Sequence, residues 1–386
     1  MKFYSPAIIS SKQNLVFGHG VNVVWNDVIA MHMQSKGEKI QYFYPSWNHQ
    51  GKRVNHLDRG ELEKQIGILE QSMGRELSYF GIEKSYTPYR DTDTISRQNS
   101  QKHFMQLLKK GFILERDGEY FIDLSRAYTQ TQMRKHLESV RYNPQHLRKR
   151  MLDLTKTLTG LYPISKRRRH ATSIPNNLES INPIFDLAVS PVLFSEELVD
   201  YCIDGCRTFP RGTFIPFVIW SALFDEPFAR NLCAHGLLNL AGGLENMKIE
   251  EIKKSIGNPV IDSDVLRYCA LLPTNSLEDM EVNPDTLIKG KKMIYRTCNL
   301  AKHFVKHYET QQDNQEGNEE IEKMIETIQV SEAIEIFRNR IYELSKKIER
   351  GEKTAKEDIK EYLKMIKSIT PIFPLTTKRI GEILNG

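Results

Sequence analysis

"NLVFGHGVNVVWNDVIA", residues 14–30, decides how the chain is read. A Gly-His-Gly at residues 18–20 opens a segment in which Val21, Val24, Trp25, Val28 and Ile29 recur at helical spacing. Upstream, "KFYSPAIIS" (residues 2–10) is apolar and rich in strand formers, and a polar, glycine-containing loop follows it. Downstream, "GEK" (37–39) ends the helix, "IQYFY" (40–44) reads as a second buried strand, and "PSWNHQGK" (45–52) reads as a loop. Strand, loop, helix, strand, loop is the beginning of an α/β nucleotide-binding domain, whose ligands are expected at the carboxyl ends of the strands. Taken alone, the Gly-His-Gly reads as a plain turn at a helix start.

The rest of the chain continues the alternation. A helix is expected over Glu61–Phe80, with Leu62, Ile66, Leu69, Met73 and Leu77 as its apolar stripe. "SRQNSQKHFMQLLKKG" (96–111) is another helix, and "FILERDGEYFIDL" (112–124) is a hairpin turning at Asp117-Gly118. Arg126–Leu158 is basic, polar and helical in pattern. The α/β character returns through "LYPISKRRRH" (161–170), "TFIPFVIWSALF" (213–224) and "NLCAHGLL" (231–238). Beyond Pro284 the pattern is helical to the end, with "TQQDNQEGNEE" (310–320) as a solvated loop.

The 386 residues, 40% hydrophobic and 27% charged, suffice for two or three domains with cores of their own. A net charge of +5 permits nucleic-acid contact without arguing for it. With no apolar leader and no bilayer-length apolar run, a cytosolic (cytoplasmic), reduced protein with no membrane partner is expected. The five cysteines are expected to be structural. Cys202 and Cys206, four apart, could share a helix face, but two further zinc ligands at suitable spacing are lacking, so no metal site is expected.

Several separated stretches, in order, resemble the class I aminoacyl-tRNA synthetases of the valine, leucine, isoleucine and methionine subgroup. "LVFGHG" is similar to their His-Ile-Gly-His signature, with Val16, Phe17, Gly18 and His19 in the four places. "PSWNHQG" sits where the family has Gly-Trp/Thr-Asp-His-x-Gly. "PISKRRRHATSIP" resembles the Ile-Ser-Arg-Gln segment, and "CAHGLL" the His-Gly turn. "IKKSIGNPV" is similar to the tail of Lys-Met-Ser-Lys-Ser-x-Gly-Asn-Val, and "DSDVLRYCALL" to the Ala-Asp-Ala-Leu-Arg-Tyr helix after it. "YRTCNLAKHFV" and "YLKMIKSITPIFPLTTKRIGEIL" resemble the first and the last helices of the anticodon-binding bundle. The resemblance spans nearly the whole chain and marks it as a compact paralogue with degenerate motifs.

The fold so implied is α/β. Residues 1–90 and 161–280 would form two halves of a Rossmann-like nucleotide-binding domain, 91–160 a connective insertion, and 281–386 a helical anticodon-binding-like domain. The insertion is too short for the family's large editing domain and lacks cysteine knuckles, so neither editing nor zinc is expected. The activity implied is that of an ATP-dependent ligase, with Mg2+ accompanying ATP. Its partners would be an amino acid or analogue and either tRNA or a small-molecule acceptor, without DNA. A catalytically inactive tRNA-binding paralogue and an enzyme using charged tRNA as acyl donor are the alternatives.

The resemblance assigns Gly18 and His19 to the ATP phosphates, at a helix start whose free N–H groups favour anions. Lys253 and Lys254 would stabilise pyrophosphate, with Ser255 beside them, although "KIEEIKKS" (248–255) also fits a solvated helical turn. His235 and Gly236 would face the adenine. Trp47, Asn48 and His49 would hold the substrate. Four positions depart from the pattern. Val16 replaces a histidine, and losing one donor to transition-state charge typically costs about 10²–10³ in rate. Asn48 replaces a carboxylate that would pair with the substrate ammonium, an interaction of about 1.5–3 kcal/mol. Arg207 stands near a ribose-binding aspartate's place, and Glu251 stands in the first lysine's. The run Lys166–His170 is either a solvated surface or an RNA or phosphate contact.

Overall fold

The computed structural model describes residues 1–4, 17–43, 45–46, 55–82, 89–90, 92–175, 177–193, 198–205, 209–235, 238–240, 262–272, 280–282, 284–305, 316–353 and 355–385. The strands are β1 Lys2–Tyr4, β2 Gln41–Phe43, β3 Pro45–Ser46, β4 Tyr89–Arg90, β5 Ile113–Arg116, β6 Glu119–Asp123, β7 Arg141–Asn143, β8 Leu161–Pro163, β9 Val199–Gly205, β10 Ala229–His235, β11 Leu238–Leu240 and β12 Met280–Val282. The helices are α1 Phe17–Ser35, α2 Arg59–Ser78, α3 Thr94–Lys109, α4 Leu124–Gln130, α5 Met133–Ser139, α6 Leu147–Thr157, α7 Pro183–Val189 and α8 Ile215–Phe224. They continue as α9 Asp262–Leu271, α10 Pro284–Phe304, α11 Glu319–Glu326, α12 Val330–Glu349, α13 Lys356–Ile369 and α14 Pro374–Asn385. Two compact units emerge: residues 1–15, 39–74 and 84–235 in the first, and residues 16–38, 75–83 and 236–386 in the second.

The first unit is built on a five-stranded, wholly parallel sheet in the order β2-β1-β9-β10-β7. Six of the seven residues of β9 are buried, as expected of a strand covered on both faces. Phe3 stacks on Tyr201 at 4.8 Å, and the Tyr4 hydroxyl donates to the Leu187 carbonyl at 3.0 Å, fixing β1 to the end of α7. Residues Ile215–Leu223 of α8 are all buried, the mark of a core helix. The expected hairpin is present: β5 and β6 pair antiparallel around Asp117 and Gly118, both at positive φ as a tight two-residue turn requires. β8 adds a third strand to it.

One expectation fails. The stretch 126–158 is not continuously helical, because β7 interrupts it and joins the parallel sheet beside β10, with Tyr142 opposite Leu232. The physical reason lies in Pro144, which pushes Asn143 toward extended backbone and cannot donate to a helix ladder.

In the second unit α1 and α9 to α14 pack around a buried arginine. Arg267 is fully buried, and its Nη1 donates to the Asp27 carboxylate at 2.8 Å and to the Phe80 carbonyl at 3.2 Å. Its Nε reaches the Ile372 carbonyl at 2.7 Å, and its Nη2 the Pro371 carbonyl at 2.6 Å. One turn earlier on α9, the buried Asp264 accepts the Thr376 N–H in the first turn of α14 at 2.5 Å. Gly20 lies against Phe80, where an added Cβ would stand 2.4 Å from the ring.

Two stability changes follow. Arg267→Met removes the cation paired with the buried Asp27 and the donors to three backbone carbonyls, and is expected to destabilise the fold by about 3–5 kcal/mol. Gly20→Ala must displace the Phe80 ring, and is expected to cost about 1–3 kcal/mol. Urea unfolding of each variant measures both, and a loss below 1 kcal/mol for Arg267→Met would contradict the assigned role.

Candidate active site at the carboxyl edge of the sheet

The order of the parallel sheet reverses between β1 and β9: the chain steps from β1 to β2 on one side and from β9 to β10 on the other. Open α/β sheets bind ligands in the crevice outside the carboxyl ends at such a switch point. The register defines its floor. Tyr4, the last residue of β1, lies level with Cys202, whereas β9 runs on to Gly205, roughly 10 Å further at 3.3 Å per residue. His235, the last residue of β10, lies level with Gly205. The ends of β9 and β10 thus form a raised wall beside β1.

At the top of that wall sits Asp204, which is 2% exposed. One carboxylate oxygen accepts the Gly205 N–H at 2.8 Å, and the other accepts the Thr213 hydroxyl at 2.9 Å. Thr213 is itself buried, in the turn Pro210–Phe214 that leads into α8. Asp204 therefore braces the exit of β9 from both sides. Sequence reading overlooked it in favour of Arg207, although a lone acid in the otherwise apolar "YCIDGC" (201–206) was a visible signal.

The sequence-derived residues distribute as follows. Gly18 and His19 occupy the first turn of α1, and His235 closes β10; their side chains lie outside the described residues. Trp47, Asn48, His49, Arg207, Gly236, Glu251, Lys253, Lys254, Ser255 and Val16 lie wholly outside them. In chain order, residues 47–49 come after β3, Arg207 after β9 and Gly236 after β10. The basic run is described. Arg167 pairs with Glu179 at 2.8 Å, while Lys166 and Arg169 are exposed and have no carboxylate partner among the described residues.

Cys202 lies in β9, so the helix face imagined for it and Cys206 does not form. Burial holds the thiols of Cys202, Cys233 and Cys269 well above the ordinary range, leaving them unreactive. Among the described residues no cluster of three or more His, Cys, Asp or Glu could hold a metal, and no helix is long and apolar enough to cross a membrane.

Three buried histidines flank these elements within their own units. His103 is 3% exposed, has the Asn99 carbonyl 2.9 Å from Nδ1, and packs on Phe224; burial lowers its pKa. His136 lies 3.3 Å from the Ser221 hydroxyl and 3.6 Å from Asp225, and burial lowers its pKa despite that carboxylate. In the second unit burial, aided by Lys36, lowers that of His32. A histidine whose folded pKa lies below its unfolded value of about 6.5 stabilises the fold above that pH. This stability is lost as pH falls through 6.5 toward the folded pKa, at up to about 1.4 kcal/mol per pH unit for each group. Thermal melts between pH 7.5 and 5.5 should fall steadily, and His103→Gln should flatten the dependence; an unchanged slope in that variant would refute the contribution.

No protein-family model matches the chain, and no curated protein matches it. Solved structures do. The chain is similar to Mycobacterium tuberculosis methionyl-tRNA synthetase in complex with methionyl-adenylate, with a TM-score of 0.71 at 15% identity, covering 100% of this chain and 93% of that one. A second structure of the Mycobacterium tuberculosis enzyme, bound by methionyl-adenylate, gives a TM-score of 0.70 at 13% identity with the same coverage. The parallel α/β sheet followed by a helical region is therefore the fold of a class I aminoacyl-tRNA synthetase.

Proposed function

We propose that the chain is an ATP-dependent, synthetase-like ligase that activates an amino acid or related carboxylic acid and passes the acyl group to tRNA or a small-molecule acceptor. The observation that carries this reading is the switch point of the parallel sheet, with the Asp204-braced end of β9 level with His235. A crevice of that kind suits a nucleoside, and a strand-to-helix turn held by a buried carboxylate presents backbone groups at fixed positions. The full-length likeness to methionyl-tRNA synthetases bound to methionyl-adenylate supports the same substrate class. Residues 1–90 and 161–280 would then be the halves of the catalytic domain, 91–160 the insertion and 281–386 the anticodon-binding-like part, in a cytoplasmic protein.

In this reading the carboxylate oxygen of the acid attacks the α-phosphorus of ATP, the bond between the α- and β-phosphates breaks and pyrophosphate leaves; Mg2+ bound with ATP would supply charge neutralisation. The acceptor nucleophile then attacks the acyl carbon, and AMP leaves. Gly18 and His19 would meet the phosphates, and Lys253 and Lys254, with Ser255, would neutralise the departing pyrophosphate. His235 and Gly236 would take the base. Trp47, Asn48 and His49 would hold the acid, and the missing carboxylate at Asn48 favours one whose α-amino group is absent, blocked or differently bound.

ATP–pyrophosphate exchange, scanned over pooled amino acids and then their analogues, tests the reading. Exchange should appear with one pool and fall by about 10²–10³ in His19→Ala and Lys254→Ala. No exchange from any pool, together with no calorimetric binding of ATP, would overturn it. The replacements Val16, Asn48, Arg207 and Glu251 favour the second reading in that event. The chain would then be a paralogue that binds tRNA without activating an acid, or one that takes its acyl group from charged tRNA.

A further inference from the structure

In the first unit, residues Arg126–Leu158 carry eight lysines and arginines against two acids, Glu138 and Asp153. That excess of six is larger than the +5 of the whole chain. Within this stretch α4, α5 and α6 leave a groove of about 270 Å³. Its floor is aliphatic: Met133 and Leu137 of α5 are buried, and Leu152 of α6 is half-buried. Tyr128 of α4 adds its ring, but its hydroxyl is committed to the Leu158 carbonyl at 2.7 Å. The rim is cationic, with Arg134 on α5 and Lys156 on α6. Their side chains are 86% and 75% exposed.

The rim charges are available to a partner. Arg134 meets Glu138 at 3.2 Å and Lys156 meets Asp153 at 3.1 Å, but both are exposed pairs within one helix. Such pairs contribute at most about 1 kcal/mol and exchange readily for another carboxylate. Arg148 and Lys149 are exposed one turn before Leu152, on the side of α6 that carries Leu152 and Lys156. They have no carboxylate partner among the described residues. The cations therefore run about 12 Å along α6 at 1.5 Å per residue, with Arg134 facing them from α5.

The shape and chemistry select among occupants. Enclosed small-molecule sites hold about 300–1,000 Å³. This groove is smaller and opens between two exposed cations, so it suits side chains presented by another surface. A nucleic-acid strand would use the cations but would find no exposed aromatic ring to stack on. An amphipathic helix uses both features, laying its apolar stripe on the floor and its flanking acids on the rim. Met133 adapts that floor to the shape of the incoming side chain.

We propose that the α4–α6 groove docks an acidic amphipathic helix of a partner protein, its apolar side chains on Met133, Leu137 and Leu152 and its carboxylates on Arg134, Arg148, Lys149 and Lys156. This does not rest on acid activation: peptide binding and pyrophosphate exchange are read separately, so either can fail alone.

The test is fluorescence anisotropy of the full chain with a labelled peptide of about eighteen residues, long enough to be helical. It carries leucines along one helical face and glutamates along the flanks. A control peptide has the same composition with the leucines scattered around the helix. The first peptide should bind, more weakly as salt rises from about 50 to 200 mM, and the control at least about tenfold more weakly. Arg134→Glu/Lys156→Glu should weaken the first peptide at least about tenfold, and Leu152→Asn several-fold. Should the charge reversal unfold the protein, Arg134→Gln/Lys156→Gln decides, with a smaller loss in the same direction. No binding by the wild type, wild-type affinity in the folded charge variants, or equal binding of both peptides would overturn the proposal. So would tighter binding of a uridine oligonucleotide, lost in the same variants, which would assign the groove to nucleic acid. Dimers in sedimentation that the charge reversal abolishes would likewise overturn it, in favour of a second copy of the chain.

Discussion

The second unit depends on a single charged side chain that has no contact with water. Arg267 donates to one carboxylate and to three backbone carbonyls, and these belong to segments 105, 187 and 240 residues away in sequence. The Phe80 carbonyl comes from the turn after α2, and those of Pro371 and Ile372 from the turn after α13. Helix ends leave such carbonyls without partners, so one guanidinium serves as a shared cap for two of them. Asp264 does the opposite on the same helix, taking N–H groups at the start of α14. An acid and a base three residues apart on α9 therefore match opposite helix dipoles. Burial raises the pKa of the Asp264 carboxyl, and its bonds to α14 oppose that rise.

This arrangement separates the signature residues into two kinds. Gly20, Asp264 and Arg267 stand inside or beside the stretches that resemble the synthetase motifs, and packing alone accounts for them: a ring at 2.4 Å, a helix cap, a buried pair. The side chains of His19, Lys254 and Ser255 lie outside the described residues. Contacts of this kind are compatible with a fold shared at 15% identity. The constraints that hold the helices together are exacting and distributed over several segments.

Much of the fold was legible because its signals are local. The Asp117-Gly118 hairpin turn, the apolar face of α1 and the buried residues Leu62, Ile66 and Leu77 of α2 followed from spacing. β7 was not legible: three residues, "RYN", carry too little pattern, and only their distant partner β10 makes them a strand. The roles of Arg267 and Asp264 were hidden for a similar reason. Their motif could be matched by spacing, but their partners are carbonyls and amides, which a sequence does not distinguish. Near the candidate site the return of α/β pattern through "NLCAHGLL" was readable, and β10 forms there. The brace of Asp204 by Thr213 was not, since it depends on a turn folding back over nine residues.

The central pairing of the sheet carries a consequence for how the protein is made. β1 is synthesised well before its sheet neighbour β9, the two lying 198 residues apart at Lys2 and Asp200. Until then β1 and β2 present an unpaired edge, and such edges invite wrong partners. The gap between them closes only after the intervening helices have been synthesised, so a large loop-closure entropy precedes any reward from the sheet. Until β9 has been synthesised the centre of the sheet stays unformed, and the helices of residues 94–157 have the earlier opportunity to fold.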